Sequence, residues 1–472
     1  MRIAGVYPQP IELDLGLDPD PDEPLGIGYV LAAAQQAGHD VKLLVPVDGD
    51  FTALQRRLMA FRPDVVAVSM LTMHVERARL LARWCRKWVE PKLLVAGGSH
   101  PTAAPFDLLG DFDVCVIGEG EETFVALIEL ANERDLWSSI DGIAYRSKEG
   151  NPVLNPRRPR ITSLDDLPPP LRDARFHSST ALGISYPLMT NGGFASVLYS
   201  RGCPFTCQFC NSPQHWGRQV TFRSPLNMVD ELRTLRDQFG VRFVSFADLT
   251  FTVNRKRTVE LCEALLREDL GVHWMCETTL NTVDEELLTL MAAAGCTKIC
   301  WGVETTDAES LSIIKKPITI PQMNEVLQWS EKRGILNWAF TMIGFPWQHE
   351  NGIEVAGARL PELAIHQLRV SIATPFPGTT WATSYPPLLR VPSLHFDTSH
   401  LTFRHPTISA GQMTRLRLQT LRRFYTATSY RERMAKMARS FPQLQESIAQ
   451  FLFNVDQWLQ REHRDCPRSV GR

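Results

Sequence analysis

The sequence predicts an α/β protein: a doubly wound, Rossmann-like N-terminal domain, then a partial (β/α)6 barrel, then a helical C-terminal region. Three observations predict this. Short apolar runs alternate with amphipathic segments over residues 1–135, and the alternation returns over 191–380. A Pro-rich, charged stretch at 136–190 separates them and reads as an ordered linker. Residues 381–472 are mostly polar, with spaced aromatic positions that suggest a docked helical region.

Arg2–Tyr7 reads as a first strand and Leu25–Ala37 as a helix closed by Gly38. Val41–Val45 is a second strand, and Phe51–Ala60 is amphipathic. Val65–Ser69 is continuously apolar, which suits a parallel strand covered on both faces. Helix His74–Val89, strands Leu93–Gly98 and Val114–Gly118, and helix Glu122–Asn132 complete the first domain. Such a sheet takes its ligand at the carboxyl ends of its strands. Within the linker, Ile140–Val153 suggests a hairpin around Glu149-Gly150, followed by Asn155–Pro159 and Asp165–Pro170. The barrel strands are Ala195–Ser200, Phe243–Phe246, His273–Glu277, Lys298–Val303, Asn337–Ile343 and Leu368–Ala373. Barrel chemistry is expected at their C-terminal ends.

Composition excludes several classes. The chain has 472 residues, with 50 Lys plus Arg against 52 Asp plus Glu, so nothing favours bulk nucleic-acid binding. No apolar run is long enough to span a bilayer, and the N-terminus lacks a signal-peptide core. A cytoplasmic location is expected. Of 10 cysteines, Cys85, Cys115, Cys262, Cys276, Cys296, Cys300 and Cys466 read as buried or incidental thiols.

The other three, Cys203, Cys207 and Cys210, form a CxxxCxxC loop after a predicted strand. Three thiolates can ligate three irons of a [4Fe-4S] cubane and leave the fourth iron open to a chelating substrate. Zinc is the rival metal, since His215 lies close enough to make a Cys3His set.

The segment Arg201-Gly202-Cys203-Pro204-Phe205-Thr206-Cys207-Gln208-Phe209-Cys210 resembles the signature of the radical S-adenosylmethionine (SAM) superfamily. The resemblance implies that SAM chelates the open iron and that one electron cleaves it to methionine and a 5′-deoxyadenosyl radical, which abstracts a substrate hydrogen. It implies a flavodoxin or ferredoxin as electron donor. Phe209 is then expected near the adenine. Asp248, in Phe246-Ala247-Asp248-Leu249-Thr250, becomes a candidate acceptor for the SAM amine, with a turn-initiating Asp as the alternative. Trp301-Gly302-Val303-Glu304 resembles the fourth-strand Gly-x-Glu segment, placing Gly302 and Glu304 at SAM. Ile343-Gly344-Phe345-Pro346 and Thr374–Thr379 match later strand exits, whereas Thr279 stands where relatives often carry Arg.

The first domain resembles the cobalamin-binding domain of one large radical SAM subfamily. The matching pieces are Pro24–Tyr29, Ser69–Thr72, Gly97–Pro101, Gly118–Glu121 and the linker Leu164–Pro170. The resemblance implies a cobalamin site at Leu25, Gly26, Gly28, Ser69, Leu71, Thr72, Gly97, Gly98, His100, Gly118, Glu119 and Gly120. Glycines at strand ends let a backbone approach a large flat ligand, so bulky residues at Gly98 or Gly120 are expected to block it and spare the sheet. No Asp-x-His-x-x-Gly occurs, so no histidine is expected on the lower cobalt face. His74 is expected at a helix surface, and His100 at the nucleotide tail.

Together the two resemblances imply a cobalamin-dependent methylation of an unactivated carbon, or of phosphorus, in a small-molecule or natural-product substrate. An oxidative cyclase or rearrangement enzyme of the same architecture is the alternative. A non-enzymatic cobalamin or redox sensor is the alternative from another class.

Overall fold

The computed structural model describes residues 1–8, 23–46, 51–173, 193–386 and 392–465. Cys466 and the linker stretch 174–190 lie outside the described residues.

The first unit runs β1 (Arg2–Val6), α1 (Leu25–Gln36), β2 (Asp40–Leu44), α2 (Phe51–Phe61), β3 (Val65–Ser69) and α3 (Val75–Trp88). It continues through β4 (Leu93–Gly97), α4 (Ser99–Ala103), β5 (Val114–Val116), α5 (Glu121–Glu129), β6 (Ile143–Arg146) and β7 (Pro152–Leu154). The seven strands form one sheet in the order β2-β1-β3-β4-β5-β6-β7, parallel as far as β5. The double winding follows from the apolar run of β3. Val66 and Val68 pack on one face with Leu54, Leu58 and Leu81. Val65 and Ala67 pack on the other with Leu31, Phe124 and Leu127. The expected hairpin is present, but it does not stand in a linker. Its strands, β6 and β7, pair antiparallel along the β5 edge and extend the first sheet past residue 135.

The second unit opens with β8 (Gly193–Val197), β9 (Ser200–Arg201), α6 (Ser212–Trp216), β10 (Thr221–Phe222), α7 (Pro225–Phe239), β11 (Val241–Phe246) and α8 (Arg255–Glu268). Then come β12 (His273–Thr278), α9 (Glu285–Ala293), β13 (Cys296–Glu304), α10 (Ala308–Ile313), α11 (Ile320–Lys332), β14 (Leu336–Ile343), α12 (Glu350–Arg359) and β15 (Gln367–Ile372). Six of these strands make a parallel sheet, β15-β14-β13-β12-β11-β8, with crossover helices. The predicted strand Ala195–Ser200 is split: β8 joins that sheet, whereas β9 turns out to pair antiparallel with β10.

The C-terminal region holds α13 (Thr380–Ser384), α14 (Ala410–Thr426), α15 (Thr428–Ser440) and α16 (Gln445–Asp465). It docks on the barrel edge. Arg417 Nε donates to the Val370 carbonyl at 2.7 Å, and the buried Tyr425 hydroxyl bonds both the N–H and the carbonyl of Leu368 at 3.0 Å. The linker straps the units together. Leu171 N donates to the Gly28 carbonyl, and the buried Arg172 pairs with Glu23 of the first unit and Glu231 of the second.

Candidate functional site

The cysteine loop leaves β9 at the C-terminal end of the barrel sheet. Gly202 adopts φ +105°, and a Cβ there would run into the Gln219 carbonyl, so the turn requires glycine. All three thiols are half-buried. Cys210 N donates to the Cys207 carbonyl at 3.2 Å, and Ser212 N donates to Cys210 Sγ at 3.4 Å. Burial pushes the Cys207 thiol up to about 11, against the pull of Lys316. Iron binding takes the thiolate and so displaces that proton.

His215 does not complete a zinc site. Its Nδ1 lies 3.2 Å from Thr102 Oγ1 in the first unit. Among the described residues no group of three or more His, Cys, Asp or Glu side chains is gathered to hold one metal ion. A cubane asks for something else, one thiolate on each of three irons. Three soft donors on a glycine turn, without a histidine, fit the cluster.

Glu304 ends β13 with φ +62°, a left-handed backbone that non-glycine residues rarely adopt. Its Oε1 pairs with Lys316 Nζ at 2.8 Å, both side chains being buried. Burial opposes the Lys316 charge, but the Glu304 carboxylate and the Cys207 sulfur outweigh it and raise the ammonium's pKa. Gly302 leaves room for the pair, since a Cβ there would stand 2.8 Å from Glu304 Oε1 and 2.9 Å from Lys316 Nζ. Sequence reasoning missed Lys316, because nothing local marks a lysine after α10 as a partner of β13.

Asp248 follows β11. It is fully buried, and its two oxygens accept from Tyr199 N at 3.0 Å and from the Ser200 hydroxyl. Burial pushes the carboxyl up to about 6, although both hydrogen bonds pull it down. The carboxylate therefore braces the strand entering the cluster loop. Phe209 packs on Trp381 with ring centroids 5.9 Å apart, which brings the start of the C-terminal region onto the cluster loop. Thr279 Oγ1 donates to Asn281 Oδ1, a local contact.

An open cleft lies at the carboxyl ends of β3, β4 and β5. Of the expected residues, Gly26, Ser69, Gly97, Gly98, Gly118, Glu119 and Gly120 line it. Leu25, Gly28, Leu71, Thr72 and His100 do not. Leu25 packs with Tyr29 and Leu198 between the units, and a Cβ at Gly28 would meet the Leu171 carbonyl at 2.7 Å, so these two serve the strap. Leu71 is 42% exposed. Thr72 Oγ1 lies 3.2 Å from His100 Nδ1, and both are buried. His74 is not at the surface: it is 1% exposed, edge-on to Tyr7 at 5.1 Å, and burial holds it down to about 4.

The cleft has two walls that sequence reasoning missed, His215 and Trp216 of α6, just past Cys210. Glu119 and Glu121, on its rim, pair with Arg201 at 3.1 and 2.6 Å. Both motifs were visible in the sequence, but their contact spans too much chain to be read locally.

The family model for the radical SAM superfamily matches residues 197–356, and the model for the B12 binding domain matches residues 21–128. An uncharacterized methyltransferase of Pyrococcus horikoshii is 31% identical over 363 residues, covering 75% of this chain and 77% of that one. The anaerobic magnesium-protoporphyrin IX monomethyl ester cyclase of Rubrivivax gelatinosus is 29% identical, and the match spans 68% of this chain but 59% of the cyclase. Among solved structures, the radical SAM methyltransferase TsrM of Kitasatospora setae, with cobalamin and a [4Fe-4S] cluster bound, superposes with a TM-score of 0.67. That superposition covers 81% of this chain and 77% of TsrM at 19% identity, a likeness of fold. This chain belongs to the radical SAM superfamily, in the branch whose members carry a B12-binding domain ahead of the radical SAM domain.

Proposed function

We propose that this chain is a cobalamin-dependent radical SAM methyltransferase acting on an unactivated carbon, or on phosphorus, of a small-molecule or natural-product substrate. The observation that carries the reading is the shared wall. His215 and Trp216, which follow Cys210, line the first-unit cleft, so a ligand there lies beside the cluster loop. When bound, the cluster supplies the electron that cleaves SAM, and cobalamin carries the methyl group.

The chain's own residues then have these tasks. Cys203, Cys207 and Cys210 hold three irons and leave the fourth for SAM. Glu304 accepts from the SAM amine or ribose, and Lys316 holds that carboxylate in place. Asp248, through Ser200 and Tyr199, is a positioning residue for the loop. Gly26, Ser69, Gly97, Gly118, Glu119 and Gly120 border cobalamin. Among the described residues, neither His74 nor His100 lines the cleft: His74 packs on Tyr7 and His100 on Thr72. Among the described residues no helix is long and apolar enough to cross a membrane. A cytoplasmic site and a flavodoxin or ferredoxin donor complete the proposal.

Anaerobic turnover with candidate substrates tests it, by following S-adenosylhomocysteine and 5′-deoxyadenosine together. Equal amounts of both are expected. Deoxyadenosine alone would favour oxidative cyclisation or rearrangement; the Rubrivivax gelatinosus relative is named as a cyclase.

A further inference from the structure

The cluster loop is bracketed by the first-unit cleft on both sides. Ahead of Cys203, Arg201 is 2% exposed and reaches across the units to Glu119 and Glu121, which lie on the cleft rim and are themselves buried. The same guanidinium sits 5.1 Å from the Tyr29 ring of α1 and 5.2 Å from the Trp216 ring. Past Cys210, α6 carries His215 and Trp216 into the cleft wall. Thr102 Oγ1 donates to the Gly98 carbonyl and accepts from Gly118 N, so the His215 Nδ1–H is the donor in their 3.2 Å contact. His215 is thus tied to two strand-end glycines of the cleft.

A second cation closes the base of the loop. Arg160 of the linker bonds the Arg201 carbonyl and the Gln219 carbonyl, and its Nε lies 3.7 Å from Glu119 Oε2. Glu119 Oε2 also accepts from Ile161 N at 2.9 Å. Arg201, Glu119, Glu121 and His215 are each held by a partner on the other unit. Whatever fixes the Gly118–Glu121 rim therefore fixes the flanks of the Cys203–Cys210 loop.

We infer that the cleft and the cluster loop form one thermodynamic unit, in which a ligand in the cleft and the iron–sulfur cluster each strengthen the binding of the other through Arg201 and α6. The inference rests on the cobalamin reading of the cleft. It adds that the two cofactors load cooperatively, with Arg201 and Glu121 as positioning residues. Linkage makes the effect reciprocal: a factor gained in cobalamin affinity on cluster loading is the same factor gained by the cluster on cobalamin binding.

The test uses the full chain under anaerobic conditions. Hydroxocobalamin affinity is measured by equilibrium dialysis on cluster-loaded protein and on protein stripped with an iron chelator. In the wild type, loaded protein should bind about 10-fold tighter, within the usual range of coupling between sites. The chelator concentration that removes half of the cluster at equilibrium should rise correspondingly when cobalamin is present. Glu121→Gln leaves Glu119 to hold Arg201, so the variant is expected to fold, and its loaded and stripped affinities should converge to within about 3-fold. Should that variant fail to fold by circular dichroism, Trp216→Leu removes the opposite bracket and must show the same convergence. Equal affinities in loaded and stripped wild type overturn the coupling while leaving the proposed function standing. A wild-type chain that retains no cobalamin in either state overturns both. Undiminished coupling in the folded variants removes Arg201 and α6 as its route.

Discussion

Lys316 Nζ lies 2.8 Å from Glu304 Oε1, a buried ion pair beside the cluster loop. The carboxylate expected at SAM is thus already oriented and held in a left-handed backbone before any ligand arrives.

Glu304→Gln should weaken SAM binding by roughly 10- to 100-fold, the worth of a hydrogen bond to a charged group. The cluster absorbance should persist. Equilibrium dialysis of SAM against reconstituted protein checks this, and unchanged affinity would remove Glu304 from the site.

Anaerobically reconstituted protein should hold about four irons per chain, as a cubane requires. Alanine at Cys203, Cys207 or Cys210 should abolish reductive SAM cleavage. Stoichiometric zinc without iron–sulfur absorption would sink the assignment.

The cleft is best probed at Gly97. A Cβ at Gly98 would stand 2.7 Å from the Met70 carbonyl on a backbone with φ +102°, so Gly98→Leu damages the fold, contrary to expectation. At Gly97 nothing lies within 4 Å of a Cβ. Gly97→Leu should therefore keep a native circular dichroism spectrum and an intact cluster but retain no hydroxocobalamin after gel filtration. Retention equal to the wild type would place cobalamin elsewhere.

Stability should fall on acidification below about pH 6.5, the ordinary histidine value. Burial lowers the His74 pKa from 6.5 to about 4, with Arg77 adding to the effect. Between those values the unfolded chain binds the proton and the folded chain does not, so stability is full above the upper value and is lost as pH falls toward the lower. The contribution is at most about 3 kcal/mol. His74→Asn keeps an acceptor for Leu71 N and cannot become charged. Its thermal midpoint should depend less on pH than the wild type's between pH 7 and pH 4 (roughly the histidine window). His100 and His215, also lowered to about 4 by burial, leave some slope in the variant. An unchanged pH slope in His74→Asn would discard the argument.

Tyr425→Phe should cost about 1–3 kcal/mol, because it leaves the buried N–H and carbonyl of edge-strand residue Leu368 without their hydroxyl partner. Chemical denaturation reads the loss. SAM cleavage by the folded variant should be unaffected.

The sequence by itself determined the periodic and the contiguous. Alternating apolar runs specified two α/β units, since a strand buried on both faces, such as Val65–Ser69, differs locally from an amphipathic helix such as Val75–Trp88. The CxxxCxxC loop was legible because its ligands lie close together in the chain. Tertiary structure decided the rest, since the energy of a polar group depends on who its partner is once water is gone. It attached the β6–β7 hairpin to the first sheet, turned His74 inward onto Tyr7, and gave the Asp248 carboxylate to Ser200. It paired Glu304 with Lys316, and Arg201 with Glu119 and Glu121, across stretches of chain that no local pattern connects. A lone arginine or glutamate in a sequence is a solvated charge by default; buried together between two units, these residues become the frame of the site.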